Sequence, residues 1–289
     1  MKSVTLWIQA ARPKTLMASV SPVLIGSAMA MAEGNFSLLT FGLLLLVGLG
    51  IQITTNYAND WLDFVKGSDR KDRKGPVRVT AQGLVTIGEI KKMTFLVTSL
   101  TALASLPLIW EGGPWIAVLV ALALLLAVGY TGGPLPLAYV GLGDLFVLFF
   151  FGPVATCSSY FLHTHTMSYE IAVAGLSPGL LSCALLSINN LRDEEEDRKS
   201  RKKTLIVRFG SHIGKKQVLL SLLLPPLIPL AICQNHLFVL LTLLCLAPAI
   251  PLAVEVYRVT NPLKYNLLLG KVGKLLAFYT FVFCISWML

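Results

Sequence analysis

Two stretches of this chain carry oxygen donors at helical spacing, each followed by a run of cations. The first reads Asn56, Asn59, Asp60, Asp63, Lys66, Gly67, Asp69, Arg73, and the second Asn189, Asn190, Asp193, Asp197, Lys199, Lys202, Thr204, Arg208. On a helix of 3.6 residues per turn Asn56, Asp60 and Asp63 fall at i, i+4 and i+7, so their oxygens line one face. Asp193 and Asp197 repeat the i, i+4 step, and Asn189 or Asn190 extends that row one turn back. Carboxylate and amide oxygens suit Mg²⁺, which is typically held by one or two carboxylates plus substrate phosphate oxygens. The expected metal set is therefore Asn56, Asp60, Asp63, Asn190, Asp193 and Asp197. Lys66, Arg73, Arg78, Lys199, Lys202 and Arg208 supply the cationic donors that phosphate oxygens prefer, Arg as a fork and Lys as a point charge. A diphosphate would complete such a site. Glu194 to Glu196 and Arg201 to Lys203, between these positions, read as solvated charges pairing locally.

A third stretch, Tyr130-Thr-Gly-Gly-Pro-Leu-Pro-Leu-Ala-Tyr139-Val-Gly-Leu-Gly-Asp144, holds no Lys or Arg. Its glycines permit close backbone approach and its tyrosines can stack on an aromatic ring or face a cation; a tight turn with interfacial tyrosines reads equally well.

The elements that must position these residues are membrane helices. Of 289 residues 55% are hydrophobic and 13% charged, against roughly 25% charged in soluble domains. Apolar runs near the roughly 20 residues needed to cross a bilayer fall at 14–33, 37–57, 93–110, 114–130, 143–162, 169–189, 217–233, 236–256 and 272–289, which predicts an all-α polytopic bundle of about nine transmembrane helices. Pro225, Pro226 and Pro229 should bend the seventh. With the N-terminus inside, every one of the 24 Lys and Arg residues lies on the inner side, and the outer loops hold Glu33, Glu111 and Glu170. That asymmetry is the one expected of an inner-membrane protein. The net charge of +9 thus reports orientation and not nucleic-acid binding. Residues 57–92 and 190–216 become two cytoplasmic loops over a single domain, 1–289. No removable signal is read at the N-terminus. The five cysteines sit in apolar segments without metal-ligand spacing, and the His163, His165 pair lies outside, away from every carboxylate.

Asn56-Tyr-Ala-Asn59-Asp60-Trp-Leu-Asp63 with Lys66-Gly67-Ser-Asp69, Arg73-Lys-Gly75-Pro76-Val-Arg78, Tyr130 to Asp144, and Asn189-Asn190-Leu-Arg192-Asp193-Glu-Glu-Glu-Asp197 through Gly210 resemble, in order and spacing, the UbiA-type superfamily of intramembrane aromatic prenyltransferases. Lys66-Gly67-Ser68-Asp69, Gly75-Pro76 and Gly141-Leu-Gly-Asp144 look like its 1,4-dihydroxy-2-naphthoate polyprenyltransferase branch. Leu135, Ala138 and Arg201 depart from it, standing where relatives often carry a polar residue, a glycine and a glycine. The resemblance implies a bundle around a central cavity, capped by the two cytoplasmic loops and open laterally for a lipid tail. It implies a Mg²⁺-dependent transfer from a polyprenyl diphosphate to 1,4-dihydroxy-2-naphthoate with loss of the carboxylate, in contact with membrane lipid. Asp60, Asp63, Asp193, Asp197, Tyr130 and Tyr139 are then the expected catalytic residues, and Asn56, Lys66, Asp69, Arg73, Arg78, Asn189, Asn190, Lys199, Lys202 and Arg208 the expected binding residues. Another aromatic acceptor, such as 4-hydroxybenzoate, is the first alternative. A cation-coupled transporter is the second, disfavoured because the ionisable groups gather at the inner face alone instead of lining a path through the membrane.

Overall fold

The computed structural model describes residues 3–69, 74–134, 136–234 and 236–289. Arg73 and Leu135, two positions named above, lie outside the described residues.

A short helix not anticipated from the apolar runs, α1 (Val4–Ala11), precedes the first long one. Arg12 follows it in the left-handed region (φ 54°), and Pro13, whose fixed φ suits a first helical turn, starts α2 (Pro13–Ala32). Ser37 caps α3 (Leu38–Val65), whose last two turns carry the first Asp row beyond the membrane span. Thr86 and Glu89 form a reciprocal capping box at the start of α4 (Ile87–Gly129). Lys91 lies over the Trp61 ring at 4.6 Å, binding that start to the end of α3.

Among the described residues seven helices are long and apolar enough to cross a membrane, or eight when the bent pair described below is counted as one span. The difference from the expected nine falls on α4. A straight helix of its 43 residues would be about 65 Å long, roughly twice the hydrocarbon thickness of a bilayer. It is interrupted at Gly113 (φ 74°, ψ −165°), followed by Pro114, and the two arms coincide with the expected spans 93–110 and 114–130. Trp110 and Trp115 flank that break and are the most exposed tryptophans there, as suits rings anchored at an interface.

After α4 come α5 (Leu137–Val140) and α6 (Gly143–Phe149), then a π-turn at Phe150–Val154 that runs into α7 (Ala155–Thr164). Gly152 in the π-turn lies against Gly175 and Gly179 of α8 (Tyr169–Arg192), where a Cβ would strike backbone. Small residues at such a crossing let two backbones approach. The second cap follows as α9 (Glu194–Lys199) and α10 (Leu205–Phe209), the latter capped by the Thr204 hydroxyl. Next, α11 (Ser211–Leu223) meets the 3₁₀ segment Pro225–Ala231 at 50°, the bend expected from the proline cluster. A 3₁₀ turn (Leu237–Cys245) continues as α12 (Leu246–Arg258), and the chain ends in α13 (Tyr265–Met288). This last helix begins earlier than its apolar run because Lys271 and Lys274 sit on it, Lys271 reaching Glu255.

The largest core packs α2, α8, α11 and α13 together around Ile25, Ile188, Leu222 and Phe283. A smaller core joins Ala10, Ala11 and Tyr57 to Val79, Val85 and Ile90, and fixes the first cap loop to α1 and α3. A third, of Val23, Leu44, Val47, Leu108, Ile116 and Leu162, closes the end of the bundle away from the Asp rows. Between these cores lies a central cavity of about 280 Å³, lined by α2, α3, α4, α6, the π-turn, α7 and α8.

Candidate active site

The first Asp row is divided between two jobs. Asp63 faces inward: Oδ1 accepts from the Tyr139 hydroxyl at 2.9 Å and lies 3.1 Å from Lys202 Nζ, and Oδ2 is 3.8 Å from Arg78. Asp60, one turn back and 1% exposed, faces the cap loop, where its two oxygens accept the backbone N–H groups of Val79 (3.3 Å) and Thr80 (2.9 Å). Asn56 donates its amide to the Ala11 carbonyl at 2.8 Å. The inward partner of Asp63 on α3 is Asn59, whose Oδ1 accepts from the Thr131 hydroxyl.

In the second row Asp193 is gripped by both Nε and Nη2 of Arg192, each at 2.7 Å. Arg192 is itself oriented by Asn266, whose amide donates to the Lys74 carbonyl. Asp197 lies 3.6 Å from Lys202 Nζ. One ammonium therefore stands between Asp63 and Asp197, the point where carboxylates of the two rows converge. Burial disfavours the Lys202 charge, but Asp63 and Asp197, with Tyr139 and Asp69, overcome it and hold Lys202 protonated above the ordinary lysine range.

The loop before α6 roofs this centre. Lys66 donates to the Thr131 carbonyl and lies 4.2 Å from the centroid of the Tyr139 ring; Lys202 approaches that ring at 5.0 Å. Burial lowers the Lys66 pKa, against the pull of Asp63. The Tyr139 hydroxyl, receiving Ser68 at 2.6 Å and donating to Asp63, is pushed up by burial and then by the Asp63 charge. Tyr139 is thus a plate under two lysines. At Gly141 (φ 82°) a Cβ would meet the Lys203 carbonyl and the Arg208 guanidinium, so the second cap can close on this turn only where no side chain stands.

A polar cavity of about 120 Å³ collects Asn59, Asp63, Arg78, Asn190, Arg192, Asp193, Asp197, Lys202 and Asp144. It shares Arg12, Asn59, Tyr130, Leu186 and Asn189 with the apolar central cavity. Tyr130, Phe146 and Phe150 wall the apolar side, with ring centroids 6.2 Å and 4.2 Å apart in succession.

Of the residues expected from sequence, Asp63, Arg78, Asn189, Asn190, Asp193, Asp197, Lys202 and Tyr130 come together here. Asp60, Asp69, Lys66, Lys199, Arg208 and Tyr139 do not line either cavity, and Asn56 lines the apolar one. Asp69 pairs with Arg78 at 2.8 Å, Arg208 donates to the Val140 carbonyl, and Lys199 is exposed. Glu195 and Glu196 do not pair locally: they take the side chain and backbone N–H of Lys74, joining the two caps. Asn59, Asp144 and Arg192, quoted in the motifs without a site role, line the polar cavity with Arg12, and Phe146 lines the apolar one. Arg192 could have been found from its place beside Asp193 at a membrane boundary, whereas Phe146 has no signal in an apolar run.

Hard oxygen donors with a cation already drawn between them fit Mg²⁺. Among the described residues no group of three or more His, Cys, Asp or Glu side chains is placed to hold a metal ion by itself.

The profile of the UbiA prenyltransferase family matches residues 19–287. The chain is 37% identical over 232 residues to the 1,4-dihydroxy-2-naphthoate octaprenyltransferase of Escherichia coli (strain K12), covering 78% of this chain and 75% of that one. It is 36% identical over 210 residues to the protein of the same name from Mycobacterium tuberculosis (strain ATCC 25618 / H37Rv), covering 73% and 72%. The structure of a UbiA homologue from Archaeoglobus fulgidus bound to GPP and Mg²⁺ superposes with a TM-score of 0.67 at 15% identity, over 98% of this chain and 100% of that one, and so shares the fold. A profile match over nearly the whole chain, relatives above one-third identity and a common helical bundle agree: this chain belongs to the UbiA prenyltransferase family.

Proposed function

We propose that the chain transfers a polyprenyl group from an allylic polyprenyl diphosphate to 1,4-dihydroxy-2-naphthoate, releasing diphosphate and the acceptor carboxyl as CO₂, in menaquinone biosynthesis. The observation that carries this reading is the junction of a small charged cavity with a larger apolar one through Arg12, Asn59, Tyr130, Leu186 and Asn189. An ionic head on a hydrocarbon tail is the ligand such a pair of compartments fits. The acceptor is supported by the names of the relatives just given.

Asp63, Asp193 and Asp197, with Asn59 and Asn190, would hold Mg²⁺, which when bound supplies Lewis-acid neutralisation of the leaving diphosphate. Arg78 and Lys202 line the same cavity and offset charge that grows on the diphosphate as its bond to the allylic carbon breaks, which is stabilisation aimed at the transition state. Tyr130, Phe146 and Phe150 present ring faces where the allylic cation develops, and the apolar walls keep water from it. Lys66 and Tyr139 act one step back, Tyr139 by hydrogen bonding Asp63. In this reading the caps 57–92 and 190–216 lie on the cytoplasmic side of the inner membrane, with the N-terminus inside.

The test is incubation of the purified protein in detergent with farnesyl diphosphate, 1,4-dihydroxy-2-naphthoate and Mg²⁺, with and without chelator, followed by mass spectrometry. Metal-dependent decarboxylated prenyl naphthoquinol is the expected product. Product from 4-hydroxybenzoate alone would overturn the acceptor, and no product from any acceptor or longer donor would overturn the reaction.

A further inference from the structure

Asp144 is a carboxylate for which the diphosphate end of the reaction has no use. It lines the polar cavity and is 8% exposed. Asp63, Asp193 and Asp197 each have a Lys or Arg partner, yet Asp144 forms no ion pair among the described residues. Its two side-chain donors are neutral and converge on one oxygen: Gln217 Nε2 at 2.7 Å and Ser187 Oγ at 3.5 Å both reach Oδ1. The backbone N–H of Asp144 adds one more neutral donor to the carboxylate, and among the described residues no side chain bonds Oδ2. A buried carboxylate held by neutral groups is costly in a membrane protein and is a functional position by default.

Its level in the membrane narrows the ligand. Asp144 packs on α8 at Cys183 and Ser187, and Ser187 precedes Asp193 by six residues, about 9 Å along a helix axis. Two residues on, Phe146 already walls the apolar cavity. Asp144 therefore stands between the diphosphate end and the tail, beside the place where the ring must meet the allylic carbon. An anion there repels a phosphate and attracts a hydroxyl.

We propose that Asp144 Oδ2 accepts a hydrogen bond from a ring hydroxyl of the aromatic acceptor, so that Asp144 both selects a hydroxylated ring and raises its nucleophilicity. The inference rests on the function proposed above. As the ring carbon carrying the carboxyl forms its bond to the allylic carbon, the carbon–oxygen bond to diphosphate breaks and its electron pair leaves with the diphosphate. The hydroxyl on the neighbouring carbon, position 1 of the ring, becomes carbonyl-like and its proton shifts to Oδ2. When CO₂ leaves, its bonding pair restores the aromatic ring and the proton returns to the oxygen. Gln217 is a positioning residue that aims the carboxylate.

The test is Asp144→Asn, which keeps an oxygen for Gln217 and Ser187 but turns a donor toward the cavity. With farnesyl diphosphate and 1,4-dihydroxy-2-naphthoate, kcat/KM for the acceptor should fall about 10- to 100-fold, the range for losing a hydrogen bond to a charged group. The KM for the donor and the Mg²⁺ dependence should stay within about threefold of wild type, by the same reasoning that Asp144 touches neither. Competitive inhibition by 1-hydroxy-2-naphthoate and 4-hydroxy-2-naphthoate adds a readout that a structural role would not move. Wild type should prefer the analogue that keeps the contacted hydroxyl, and D144N should not. Unchanged acceptor kinetics would overturn the proposal, as would a preference that survives in D144N. A raised Mg²⁺ requirement would overturn it in favour of a metal ligand. If D144N yields no folded protein, Gln217→Ala, which keeps the carboxylate but removes its holder, should raise the acceptor KM selectively; an equal loss for donor and acceptor would overturn the proposal. Failure of wild type to use 1,4-dihydroxy-2-naphthoate at all would instead overturn the underlying reaction.

Discussion

The two Asp rows read alike in sequence, yet the fold uses them differently. At the end of α3, Asp60 and Asn56 hold the protein itself, one binding the backbone of the first cap loop and the other the end of α1. At the end of α8, both Asp193 and Asp197 line the polar cavity, each beside a cation. Spacing explains why. Successive residues turn by about 100° on an α-helix, so Asn59 and Asp63 lie to one side of the α3 row and Asn56 and Asp60 to the other. The row spans a face wide enough to meet a cavity and a loop at once. An i, i+4, i+7 pattern says that groups share a face, not that they share a ligand.

The largest effect that would sharpen this contrast is expected at Asp63. Asp63→Asn removes the carboxylate that meets Lys202, Arg78 and Tyr139. Turnover should drop at least about 100-fold, the scale for removing an electrostatic group aimed at the transition state, while thermal unfolding in detergent moves little. Activity within tenfold of wild type would put the head group elsewhere. Lys202→Met should fall in the same class, since it leaves Asp63 and Asp197 facing each other without their shared cation.

Asp60→Ala should fail in another way. It strips two buried backbone N–H groups of a carboxylate acceptor, which costs roughly 3 to 6 kcal/mol at about 1.5 to 3 per charge-assisted bond. The unfolding midpoint should fall, and Asp60→Asn, which keeps one acceptor, should recover part of it. The Mg²⁺ concentration for half-maximal rate in whatever folded fraction remains should match wild type. A shifted Mg²⁺ requirement without destabilisation would return Asp60 to the metal set and erase the contrast.

Much of this was legible from residue types alone. The apolar runs located the helices, and hydrophobic composition with basic loops gave the polytopic class. The break at Gly113-Pro114, where Gly113 leaves the helical region, was legible as a gap between two runs. What was not legible was long-range. Nothing near Asp60 says that Val79 and Thr80 will bring their N–H groups to it, because they lie 19 and 20 positions further along the chain. For Tyr139 the sequence leaves a ring-stacking or cation-facing role and a plain turn equally open; the ring lies against Lys66 and Lys202, two residues far apart in sequence. Lys202 is expected as a phosphate donor from its place after the second row, but its position between Asp63 and Asp197 depends on the convergence of both rows.

Asn56 tests the outer edge of the first row. Asn56→Ala loses one neutral hydrogen bond, to the Ala11 carbonyl at 2.8 Å, and leaves that carbonyl to find another donor. The expected cost is about 1 kcal/mol, read as a small drop in unfolding midpoint with turnover kept within a few-fold. A loss as deep as that of Asp63→Asn would show that the row acts as one metal-binding unit.

The smallest expected effect has the opposite sign. Arg201 lies between α9 and Lys202 with φ 60°, the left-handed region, where a residue bearing a Cβ is disfavoured by roughly 1 to 2 kcal/mol. The turn is needed because the chain must reverse there: Lys202 donates its backbone N–H to the Asp197 carbonyl while its ammonium runs on to Asp63 and Asp197. Glycine takes that φ without the Cβ penalty but gives back roughly 0.5 to 1 kcal/mol through a freer unfolded chain. Arg201→Gly should therefore raise stability by up to about 1 kcal/mol, measured by thermal unfolding in detergent. Turnover should be unchanged, since the Arg201 side chain is exposed and lines neither cavity. A destabilised R201G would mean that the exposed guanidinium holds the second cap by a contact stronger than the strain its backbone carries, and would add a structural cation to a row whose buried charges otherwise face the cavity.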